Sequence, residues 1–129
     1  VLQNKMTYTL LRNREGAFVS PNSTSFQAAA ANADWTKAPG FYLLLTDQPG
    51  KESWPITGAS FILMHRQQQK PDGARRVLSF FDWAYRNGGK LAEQLDYVPM
   101  PPKVVTLVEE SWKQIVGPDG KPAWNGHAS

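Results

Sequence analysis

The stretch from Asp72 to Asn87 sets the strongest limit on what this chain folds into. A helix start stands at Pro71-Asp72, with Asp72 as the expected N-cap, and Asn87-Gly88-Gly89 is a stop where a glycine takes the left-handed cap conformation. Successive side chains on a helix lie about 100° apart. On that wheel Val77, Leu78, Phe80, Phe81, Trp83, Ala84 and Tyr85 cover about 220° of the circumference. Only Ser79, Asp82 and Arg86 occupy the remaining sector. A surface helix ordinarily presents an apolar stripe of roughly 100° or somewhat more. This helix therefore needs apolar partners on several sides.

The rest of the chain offers few. Thr7-Tyr8-Thr9-Leu10-Leu11 is β-branched, aromatic and apolar, and it reads as a strand that ends in a polar turn at 13–16. Residues 17–19 form a short extended piece. Ser20-Pro21 reads as a helix start, Ser20 at the N-cap and Pro21 at N1, without the capping-box acid three residues on because Ser23 sits there. Phe26, Ala29, Ala30 and Ala33 follow at helical spacing. Pro39, Gly40, Pro49 and Gly50 frame a loop over 38–50, and Trp54 before Pro55 must be extended.

Phe61-Ile62-Leu63-Met64 is apolar without alternation, as in a strand covered on both faces. A short helical turn over 90–95 and a rigid Tyr97-Val98-Pro99-Met100-Pro101-Pro102 segment lead to a last helix. Its stripe is Val105, Val108, Trp112 and Ile115, and Gly117-Pro118 stops it. The expected class is α/β, about three helices on a few strands, with residues 1–118 as the packed portion and 119–129 as a loose tail. That supply is lean for so broad a helix face. Either part of the fold lies outside these 129 residues or the face meets a second copy.

Composition narrows the function classes. The net charge is +3 from 14 basic and 11 acidic residues, and Arg75-Arg76 is the only adjacent basic pair, so the concentrated stripe of a nucleic-acid binder is missing. No run approaches the ~20 apolar residues of a membrane span. No cysteine is present, which removes thiol catalysis, disulfides and thiolate zinc sites. Residues 1–6 show no signal-peptide pattern, and Val1 rather than Met opens the chain, as expected of a processed form or a fragment.

The chemical constellations are sparse. His65 and His127 are the only histidines and neither has metal-ligand spacing. No GxSxG, GxGxxG or P-loop pattern occurs. Glu109-Glu110 read as solvent-facing on a helix, and Asp82 lies on a polar sector. The helix starts at Ser20 and Asp72 have amides that suit an anion, but ordinary capping explains both, and Asp72 would repel one. Arg75 and Arg76 read as solvated, and Trp54, Phe61, Trp83 and Trp112 as core. No catalytic, cofactor, phosphate or metal residue is assigned, and the chain does not read as an enzyme. A hydrolase using Asp82 or His65 would need a pocket around them.

Four blocks carry a resemblance. Ser20-Pro21 leads to Asn32-Ala33-Asp34-Trp35; Ser53-Trp54-Pro55-Ile56-Thr57 is followed by Ser60-Phe61-Ile62-Leu63 and His65. Lys70-Pro71 precedes Val77-Leu78 and Phe80-Phe81-Asp82-Trp83-Ala84-Tyr85. Leu95-Asp96-Tyr97, Pro102 and Val104-Val105 precede Trp112-Lys113 and Gly120-Lys121-Pro122. In kind and order these resemble the C-terminal third of the periplasmic phosphate-binding proteins of phosphate ABC transporters, over roughly residues 7–122.

The resemblance implies a type II periplasmic binding fold, with two α/β lobes closing on dehydrated phosphate. It also implies three partners: inorganic phosphate for the parent protein, a membrane permease, and the missing N-terminal part. The family's phosphate ligands lie in a Gly-rich Thr-Phe segment, in Ser-Gly motifs, and in an Asp and an Arg followed by Ser-Gly-Thr. None of these motifs stands in this sequence, so the expected role is lobe packing without phosphate ligands. The alternative is a stand-alone module that oligomerises through the broad helix face.

Overall fold

The structure is a computed structural model that describes residues 5–126. His127 lies outside the described residues. A two-stranded antiparallel hairpin comes first, β1 (Leu11–Arg12) and β2 (Phe18–Val19), with Leu11 opposite Val19 and Arg12 opposite Phe18. Gly16, at φ +80°, makes the turn, and its amide donates to the Asn13 carbonyl at 2.9 Å. The expected strand over 7–11 is thus pushed toward its C-terminal end. Residues 7–10 form no ladder among the described residues, and Tyr8 and Leu10 are exposed.

Helix α1 (Ser23–Asn32) starts two residues later than Ser20-Pro21 predicts. Asn22 is its N-cap. The Asn22 side chain accepts from the Ser25 amide at 2.9 Å, and the Asn22 amide donates to Ser25 Oγ at 3.1 Å. A capping box does exist, closed by a serine hydroxyl in place of the carboxylate that the usual pattern requires. Two short turns, Trp35–Lys37 and Pro39–Phe41, follow.

Helix α2 (Pro71–Asn87) matches the expected span closely. Asp72 is not its cap: it lies in the first turn and pairs with Arg75 at 2.9 Å, where a negative charge also suits the helix dipole. Gly88 is not left-handed either, having φ −83°. Its need for glycine is steric, since a Cβ there would sit 2.6 Å from the Ala84 carbonyl oxygen. The chain then continues into α3 (Gly89–Gln94), and Pro101-Pro102 opens α4 (Pro102–Ser111), followed by a tight turn at Trp112–Gln114.

Two apolar clusters meet on α4. One holds Ala74, Leu78, Trp112, Ile115, Ala123 and Trp124; the other holds Ala30, Ala33, Trp35, Leu45 and Val104; Val108 packs against both. Of the expected loose tail over 119–129, the described part is packed at Ala123 and Trp124, which join the first cluster, and 127–129 lie outside the described residues. The chain reverses through Gly120, the Ala123 amide donates to the Ile115 carbonyl at 2.8 Å, and Trp124 is buried edge-on against Trp112, ring centroids 5.3 Å apart. Burying one indole stabilises by a few kcal/mol, which is enough to hold a short return segment.

Candidate functional site

Two open, mainly apolar cavities, each of about 580 Å³, lie on the surface. The first is lined by Phe26, Ile56, Ala59, Tyr85, Gly89 and Pro99, and the second by Phe41, Phe61, Leu63, Phe81 and Leu107. Ala59 and Ser60, with Tyr85 and Met100, belong to both linings, so the segment over 58–64 runs from the wall of the first cavity into that of the second.

A polar network that sequence reasoning missed holds the start of this wall. Asn13 is buried, and its Nδ2 donates to the carbonyls of Gly50, Lys51 and Ser53 at 3.1, 2.8 and 3.2 Å while its Oδ1 accepts from the Ala17 amide at 3.0 Å. Ser53 Oγ donates to the Pro49 carbonyl at 2.6 Å and accepts from Asn32 Nδ2 at 3.1 Å. Next in the chain, the Trp54 amide donates to the Ser25 carbonyl at 3.0 Å, and the Trp54 ring meets Phe26 edge-on. The hairpin, α1 and the loop over 47–54 are thereby tied together. An asparagine opening a polar turn is the one sequence signal for this hub, and its bonds span up to 40 residues, beyond any local pattern.

The far end is held as firmly. The Val116 amide donates to the Arg66 carbonyl at 2.7 Å, and the Gln68 amide donates to the Val116 carbonyl at 2.8 Å. Between these anchors the chain runs from Thr57 to His65 without a turn or bend. Among the described residues, no hydrogen bond engages the backbone over 58–64. The expected doubly covered strand at 61–64 is therefore unpaired, and of its four residues only Met64 is partly buried, packed against the first cluster. Leu63 is 93% exposed, Ile62 62% and Phe61 49%. Trp54 and Trp112 are in the core as expected, whereas Phe61 and Trp83 are not, Trp83 being 52% exposed.

Charged groups on α2 and α4 are mutually engaged. Arg86 pairs with Asp82 at 2.8 Å and reaches Glu109 on α4 at 3.9 Å, and the Glu109 side chain is only 18% exposed. That corrects the reading of Glu109 as solvent-facing. The bond to Asp82 raises the Arg86 pKa, and burial, reinforced by the Glu109 charge, pushes the Tyr85 hydroxyl up. Asp82 is thus committed to an ion pair. His65 is exposed and lines neither cavity, so the structure does not bring Asp82 and His65 together in a pocket. Ser20 caps no helix, and Arg75 and Arg76 are exposed. Among the described residues no helix is long and apolar enough to cross a membrane.

Four helices, a minimal sheet and a long unpaired apolar segment fit the class: a portion of an α/β lobe of the periplasmic-binding-protein type. No protein-family model matches the chain. Curated relatives do. The chain is 45% identical to the phosphate-binding protein PstS of Pasteurella multocida over 123 residues, 95% of this chain and 36% of that protein. It is 47% identical to PstS of Xylella fastidiosa and 44% identical to PstS of Haemophilus influenzae, in each case over 111 residues and 86% of the chain. The chain belongs to the PstS family of phosphate-binding proteins, and it spans about a third of the length of the curated relatives it matches.

Proposed function

We propose that the chain is the C-terminal portion of a periplasmic receptor that binds inorganic phosphate and passes it to the permease of an ABC transporter. The observation that carries this reading is 44–47% identity to phosphate-binding proteins over 86–95% of the chain. The chain's own part is to complete a lobe, and it is not an enzyme. Phosphate-binding groups belong to the portion of the relatives that it does not match. The permease and the upstream part of the same protein are the implied partners. The idea of an independent oligomerising module has no observation in its favour beyond the open helix face, which a missing lobe explains equally well.

Isothermal titration calorimetry tests the division. The 129-residue chain alone should give no phosphate signal, and micromolar or tighter binding would overturn it. A hybrid tests the function itself. This chain replaces the matched portion of the Pasteurella multocida protein, and the product should bind phosphate. A folded hybrid that ignores phosphate would refute the proposal.

A further inference from the structure

We propose that Asn125-Gly126 is a site of spontaneous covalent modification, at which the folded chain converts an asparagine to aspartate and isoaspartate through a cyclic imide. The proposal does not depend on the phosphate reading.

The reaction is intramolecular. The backbone nitrogen that follows the asparagine gives its proton to a solvent base and attacks the side-chain carbon Cγ. A new C–N bond closes a five-membered imide, and the Cγ–Nδ2 bond breaks to release ammonia. Water then opens the ring. Attack at Cγ leaves aspartate, and attack at the backbone carbonyl leaves isoaspartate, whose main chain runs on through Cβ and Cγ. In sum, asparagine and water become a carboxylate-bearing residue and ammonia, with no oxidation or reduction. The step asks for a glycine next in the chain, because a Cβ would crowd the attacking nitrogen. It also asks for a side chain and a backbone nitrogen without hydrogen bonds, and for a backbone outside the helical well.

Four dipeptides meet the first demand: Asp72-Gly73, Asn87-Gly88, Asp119-Gly120 and Asn125-Gly126. The structure separates them. Asp72 accepts from Arg75 at 2.9 Å, and the Gly73 amide donates to the Lys70 carbonyl at 3.0 Å. Asn87 closes α2; its Nδ2 donates to the Trp83 carbonyl at 3.0 Å, and the Gly88 amide donates to the Ala84 carbonyl at 2.7 Å. Asp119 accepts from the Lys121 amide at 3.1 Å, and the Gly120 amide donates to the Gly117 carbonyl at 3.0 Å. Asn125 and Gly126 are both exposed, and among the described residues neither the Asn125 side chain nor the Gly126 amide makes a hydrogen bond. Gly126 stands in open space, with nothing within 4 Å of where a Cβ would be.

The site lies just outside an anchor. Trp124 is buried against Trp112, and the Ala123 amide is held by the Ile115 carbonyl. The corner therefore stays closed while a negative charge accumulates at residue 125.

The two Asn-Gly pairs make the test internal. The 129-residue chain is incubated at mildly alkaline pH, folded and in guanidinium chloride, and peptide mass mapping follows the change of amide to acid at each pair. In the folded chain Asn125 should convert at least about 10-fold faster than Asn87, which must first break its two hydrogen bonds. In denaturant the two should convert at comparable rates. Labelling with an isoaspartyl methyltransferase should mark the peptide containing residue 125, and Asn125→Gln, an exposed substitution, should remove that mark. Equal conversion of Asn87 in the folded chain overturns the proposal. So does a folded Asn125 that stays intact, or isoaspartate at Asp72 or Asp119 in equal amount. Loss of the near-ultraviolet tryptophan signal in step with conversion would refute the placement of the site outside the anchor.

Discussion

The corner built by Trp112, Ile115 and Trp124 and the segment over 58–64 carry comparable apolar side chains, yet one is shut and the other open. In the corner, Leu78 is fully buried, Trp112 and Trp124 meet edge-on, and Tyr85 stacks on Trp112 with ring centroids 6.2 Å apart. Its backbone is satisfied by a local reversal, Ile115 to Ala123 across Gly120, with Val116 joined also to residues 66–68. The open segment has the side chains of a core but no neighbour for its backbone. Apolar content alone does not close a core. Closure follows where the chain returns within reach, and fails where the next strand must come from farther away than this chain extends.

The largest expected effect falls on the closed region. Leu78→Ala should lower the unfolding free energy of the chain by about 2–5 kcal/mol, because the site is packed on all sides by Ala74, Trp112 and Ile115 and collapses little. Urea denaturation followed by tryptophan fluorescence reads it. A loss below about 1 kcal/mol would show that the corner is not the stabilising core.

Legibility divided along the same line. The span of α2 and its wide apolar face were readable, because each depends on spacing within a few turns, whereas the last helix ends at Ser111, short of the stop expected at Gly117-Pro118. The excess of apolar surface was also readable, as was the family. The cap at Asn22 was missed because Ser25 does the work of an acid, and the left-handed glycine expected after α2 is replaced by a contact with Ala84. Trp124 falls within the tail that the sequence suggests, since nothing local marks an indole that packs on Trp112. The segment at 61–64 reads as a strand covered on both faces, yet it joins no ladder among the described residues, and ladder partners are not set by local spacing.

A smaller effect is expected at the hub that aims the open segment. Asn13→Ala removes the donor shared by the Gly50, Lys51 and Ser53 carbonyls and the acceptor for the Ala17 amide. Buried polar groups left without partners should cost about 1–3 kcal/mol. The same denaturation series measures it, with hydrogen exchange at residues 50–54 rising as the loop loosens. A neutral result would mean that the loop over 47–54 is held by the Ser53 and Trp54 contacts alone.

The smallest effect is the sharpest test of the contrast. Leu63 is as apolar as Leu78, but it is 93% exposed, so Leu63→Ser removes almost no burial from the chain. Its stability should change by no more than about 0.5 kcal/mol, the range of ordinary surface substitutions. In the hybrid, if the rest of the protein covers the segment, the same change should cost about 2–4 kcal/mol, from lost transfer energy, a cavity and a buried hydroxyl. The difference between the two backgrounds isolates what the rest of the protein contributes at this position. If Leu63→Ser instead destabilised the chain alone as much as Leu78→Ala, the segment would be part of a core the chain completes for itself, and the distinction between closed corner and open wall would fail.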